Sequence, residues 1–153
     1  MAADGTRGDM PWTRLPLYFE ENRGQTSSRV KFLARARGCT VFLSPDEAVF
    51  DLRRSEKIGA AKKAGPGTKP KAAALRMRFI RNGPEPRVIG LDRHPGKVNY
   101  FAGRDLKKWR ANIPTYAKIV YKGVYPGIDL VWHSDRGRVE YDFIVAPGAD
   151  PKS

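Results

Sequence analysis

Histidine and cysteine are almost missing from this chain: two histidines and one cysteine in 153 residues. A single cysteine excludes an internal disulfide. Zinc sites draw on several Cys and His ligands at set spacings, and Cys39, His94 and His133 have no such spacing. The two histidines are therefore expected at the surface or in turns. Cys39 precedes TVFLS at the start of a strand pattern, where a lone cysteine acts as a small buried hydrophobe. No His or Asn lies near it in sequence to make it a nucleophile. Lack of disulfides fits a cytosolic protein, and fits equally a large secreted one whose core needs no staples.

Long apolar runs are also lacking. Nothing approaches the length of a bilayer span, and MAADGTRGDMPWTR has no continuous apolar segment of the kind a signal peptide needs. There is no P-loop, no GxGxxG and no RNA-recognition motif. Negative charge is scarce: 29 Lys and Arg stand against 16 Asp and Glu, a net +13. That field attracts polyanions without defining a site, and it serves solubility as well.

Turn formers are plentiful, with 15 Gly and 12 Pro. They divide the chain into short elements and favour strands over long helices. Residues 1–13 read as a loose tail and 14–153 as one β-rich domain. Leu15, Leu17 and Phe19 alternate as a short strand, and Glu21 to Gln25 turns the chain. RVKFLARARGCTVFLSPDEAVFDLRR reads as successive strands of an antiparallel meander, with turns at Arg37-Gly38 and Ser44-Pro45-Asp46-Glu47. Residues 53–73 lose all aromatics and become a flexible basic loop rich in Lys, Ala, Gly and Pro. Leu75, Met77 and Phe79 then alternate with Arg76 and Arg78, which a helix cannot do. PEPRVIGLDRHPGKVNYFAG then adds one or two short strands, and Asp105 to Trp109 forms the one helical turn, with Arg104 or Asp105 at its start and Trp109 pointing inward.

The strongest pattern runs from Pro114 to Pro147. Tyr116, Lys118 and Val120 fall on one face, with Ala117, Ile119 and Tyr121 on the other. Ile128, Leu130 and Trp132 form a core face, SDRG closes a hairpin, and Val139, Tyr141, Phe143 and Val145 line the returning strand. The expected fold is mainly β, an antiparallel β-sandwich-like domain. Because the chain stops just after this strand, it reads as truncated, with a sticky unpaired edge.

LPLYFEENRGQ at 15–25, RVKFLARARGCTVFLSPDEAV at 29–49 and the stretch 97–151 resemble, in order, the N-terminal domain of bacterial SBBP-repeat proteins. The repeats of that family are of the seven-bladed β-propeller type. The resemblance implies a β-sandwich-type module of unknown function, placed ahead of repeats in large exported or cell-surface proteins. It implies downstream propeller-type repeats as partners and assigns no catalytic residues. The lysine-rich 53–73 loop and the early end of the chain depart from the family pattern.

Candidate chemistry is sparse. Glu21, Asn22 and Gln25 sit in a polar loop that either contacts a ligand or serves turn geometry. Tyr121 and Tyr125 are the aromatics expected to be exposed, for sugar or base stacking, whereas Trp132 belongs to the core. Lys62, Lys63, Lys69 and Lys71 form a candidate arm for nucleic acid or acidic glycan. Asp129, Glu140 and Asp142 lie on adjacent hairpin strands, where they converge on a cation such as Ca²⁺, form an acid–base pair, or simply face the many Arg and Lys. The leading expectation is a noncatalytic structural or interaction module that binds a glycan or protein, with no cofactor and no specific nucleic acid. The alternatives are a polyanion-binding accessory module and a carboxylate hydrolase.

Overall fold

The computed structural model describes residues 17–36, 38–53, 72–81, 83–101 and 103–150. The tail and nearly all of the basic loop lie outside them. The described residues are mainly β and antiparallel. They form β1 (Phe19–Glu21), β2 (Phe32–Ala36), β3 (Cys39–Leu43), β4 (Glu47–Arg53), β5 (Ala72–Arg78), β6 (Arg87–Tyr100), β7 (Arg110–Tyr125), β8 (Ile128–Asp135) and β9 (Arg138–Val145). One 3-10 turn, Leu106–Lys108, is capped by the Asp105 side chain, which accepts from the Lys107 N–H. All nine strands belong to one sheet, ordered β5-β4-β3-β2-β1-β7-β8-β9, with β6 on the other edge of β7.

The sandwich-like shape comes from curling this sheet. The long β7 makes the corner: its Thr115–Tyr116 segment pairs with β1, and its Ile119–Tyr125 segment pairs with β8. Tyr116 and Ile119 both meet the core although they differ in parity. The two-face assignment expected for this strand is therefore corrected, since β7 turns its faces where its neighbour changes. Strands that switch between layers commonly do this by bending.

The core joins Phe19, Ala34, Val41, Leu43 and Ala48 from the β1–β4 side to Ile119, Tyr121, Leu130 and Trp132 from the β7–β8 side. Phe50 approaches Trp132 with ring centroids 6.0 Å apart, and Phe79 meets Tyr121 edge-on at 5.4 Å. Gly90 is required by this packing, because a Cβ there would lie 2.6 Å from the Tyr116 ring. The stretch read as one or two short strands is the single long β6, with register shifts at His94/Lys97 and Val98/Tyr100. Trp109 corrects another expectation. It is partly exposed, stacks edge-on against Phe101 at 5.0 Å and donates its indole N–H to the Gly103 carbonyl.

Candidate functional site

The polar loop after β1 is organised by Asn22. Its Oδ1 accepts from the N–H groups of Gly24, Gln25 and Thr26, and its Nδ2 donates to the carbonyls of Ser27 and Val30 at 2.8 and 2.9 Å. An amide side chain has about four hydrogen-bonding positions, so Asn22 is spent inside its own loop. Gln25 donates to the Glu21 carbonyl at 2.8 Å and accepts from the Arg23 N–H. Glu21 pairs with Arg23 at 3.3 Å. The three residues come together, and their contacts are those of turn geometry, apart from the Glu21 carboxylate, which also accepts from the Tyr116 hydroxyl of β7 at 3.4 Å.

Tyr121, expected to be exposed, is fully buried. Its hydroxyl donates to the Ser44 carbonyl at 3.0 Å, and burial raises its pKa far above the ordinary tyrosine value. Alternation cannot tell a covered face from an open one, and here the curl covers Tyr121. Tyr125 is half-buried. It lines an apolar crevice of about 530 Å³ with Ile80, Pro84 and Pro126, and lies near Phe143. Lys62, Lys63, Lys69 and Lys71 lie outside the described residues.

The hairpin carboxylates share one face, since Asp129 pairs with Ile144, Val131 with Asp142 and His133 with Glu140. Each has its own basic partner. Lys122 Nζ donates to Asp129 at 2.6 Å, His133 Nε2 lies 2.8 Å from Asp142, and Arg138 is 3.6 Å from Glu140. The Lys122 contact and the Gly123 N–H hold the Asp129 carboxyl below the usual carboxylate range. Among the described residues, no group of three or more His, Cys, Asp or Glu is placed to hold a metal. Cys39 is half-buried, and burial followed by the charge of Asp51 pushes its thiol pKa up, which disfavours the nucleophilic thiolate.

Two features escape a reading by alternation alone. The first is β9, which pairs only with β8 among the described residues. Tyr141, Phe143, Ile144 and Val145 are all exposed there. The bond from the Ala146 N–H to the Gly127 carbonyl fixes the ladder phase. Residues 140, 142 and 144 therefore turn their backbone groups to β8, and those of Val139, Tyr141, Phe143 and Val145 point outward.

The second is a groove of about 290 Å³ lined by Glu20, Arg35, His94 and Lys97, among others. Glu20 is only 7% exposed. It accepts from the Tyr100 hydroxyl at 2.5 Å, and that hydroxyl accepts from Arg35 Nε at 2.9 Å. Burial, with the bond to Glu20, raises the Tyr100 pKa. These residues come from β1, β2 and β6, and their separation of up to 80 positions gives the sequence no local signal.

The family model for Domain of unknown function (DUF7948) matches residues 19–153, and the chain belongs to that family. No curated protein and no solved structure matches it.

Proposed function

We propose that this member of the DUF7948 family is a noncatalytic interaction module of a secreted or cell-surface bacterial repeat protein, working through the open edge of β9. The observation that carries this reading is the run Tyr141, Phe143, Ile144 and Val145, exposed on a strand with one edge unpaired among the described residues. Soluble proteins usually blunt or cover such edges. An added strand gains main-chain hydrogen bonds from the outward backbone groups and side-chain contacts from alternate positions. The matching occupant is an extended protein segment with alternating apolar residues. The sequence resemblance to SBBP-repeat proteins supports a strand of a neighbouring propeller-type repeat in that role.

Amide hydrogen exchange tests this on the chain alone and on the chain joined to an SBBP-repeat array. The reading requires the outward amides of Val139, Tyr141, Phe143 and Val145 to gain protection in the joined protein. Unchanged exchange at those amides, with both parts folded, would refute it.

A further inference from the structure

The groove above Glu20 holds more hydrogen-bond donors than its own contacts use. Arg35 gives Nε to the Tyr100 hydroxyl and lies 3.7 Å from Glu20 Oε1, which leaves its terminal guanidinium nitrogens without a bonded partner among the described residues. His94 accepts the Gly96 N–H at Nδ1, 3.0 Å away, so the neutral ring carries its proton on Nε2. The Tyr18 ring packs on His94 at a centroid distance of 4.1 Å and fixes its plane. Lys97 lines the same groove, is exposed and forms no ion pair among the described residues. The Thr115 hydroxyl donates to the Gly96 carbonyl at 3.0 Å, which holds the irregular turn of β6 that presents His94 and Lys97. Bulged strands often re-aim side chains toward a binding site in this way.

We propose that this groove binds the oxyanion of a small molecule, a carboxylate or a phosphate group. Arg35 presents the free end of its fork to the anion, Lys97 supplies the second positive charge and His94 Nε2–H the third donor. Glu20 is a positioning residue. Together with Tyr100 it holds the Nε side of Arg35, so the guanidinium is set before the ligand arrives. The buried Glu20 charge faces Arg35 and the Tyr100 hydroxyl, and the net +13 of the chain favours anions in the groove.

The test is an amide-resolved NMR titration with inorganic phosphate, with glucuronate and with uncharged glucose, at constant ionic strength. The expected result is saturable shifts centred on His94, Gly96 and Lys97 for the anions and none for glucose. Whichever of phosphate and glucuronate binds more tightly identifies the oxyanion. Lys97→Ala should weaken binding about tenfold, a loss of about 1.4 kcal/mol. Lys97 is exposed, so the variant keeps its fold, and well-dispersed spectra confirm it. Tyr100→Phe should weaken binding less, by releasing Arg35. Absence of saturation across the millimolar range, shifts spread over all basic residues, or full affinity in Lys97→Ala would overturn the proposal. The groove shares no residue with the β9 edge, so its failure leaves that reading standing.

Discussion

Strand β8 has a neighbour on each side, and the same side-chain rows meet opposite fates there. One row runs Ile119–Trp132–Tyr141 and the next Tyr121–Leu130–Phe143. The β7 and β8 members are 0% exposed, yet Tyr141 and Phe143 are 45% and 46% exposed. Chemistry and alternation are alike across each row. The difference is that the β1–β4 side of the curled sheet closes over β7 and β8 and touches β9 near Val139, leaving Tyr141 to Val145 uncovered. Side-chain pairing specifies which residues share a face, and only an opposing layer determines whether that face is dry.

That contrast is breakable by substitution. Trp132→Ala should cost about 3–5 kcal/mol in urea unfolding, the range for deleting a large buried aromatic. Tyr141→Ala, one strand over in the same row, should cost under about 1 kcal/mol. Equal losses would mean that β9 is as well packed as β8. Trp132→Phe should be far milder than Trp132→Ala, because Phe keeps most of the buried ring volume and the Trp132 indole N–H has no partner among the described residues, so its removal leaves nothing unsatisfied.

Gly90→Ala probes the covered side at the backbone. Its new methyl would meet the Tyr116 ring, and overpacking of this kind costs about 1–3 kcal/mol. Thermal melts of the variant should show a lower midpoint, and an unchanged one would show that the ring moves aside freely. Tyr121→Phe sharpens the comparison further. It leaves the buried Ser44 carbonyl without its donor and should cost about 1–2 kcal/mol, whereas any hydroxyl loss at Tyr141 should be near neutral.

The smallest effect belongs to the exposed face of the hairpin. The Asp129 pKa is depressed in the folded state, so its contribution is present above the unfolded value of about 3.9 and fades as pH falls through the folded one. Asp129→Asn should lower stability by only a few tenths of a kcal/mol at pH 7, with the difference vanishing in acid. A difference that persists in strong acid would point to the Gly123 N–H contact rather than to charge.

Much of the strand content was legible because period-two alternation is local. Ile128, Leu130 and Trp132 face the core as their spacing predicts. Tyr121 was misread because alternation does not say whether a face is covered, and the face of Tyr116 because a bend in β7 changes which side of the strand meets the core. The Glu21–Gln25 loop was readable as a turn, since Asn22 bonds backbone within a few residues of itself. The Glu20–Tyr100–Arg35 contact was not, because nothing within a strand's length of Glu20 announces a tyrosine on β6.

The sequence by itself determined an antiparallel β chain, its turns, the place of one helical turn between Asp105 and Trp109 and its strongly positive charge, since each follows from neighbouring residues or from a sum. The tertiary structure alone decided that Tyr121 is dry and β9 open, and that a buried glutamate, an arginine and a histidine share one groove. Those outcomes depend on how far the sheet curls and where β6 and β7 bend, and these are properties of strands that meet across tens of residues.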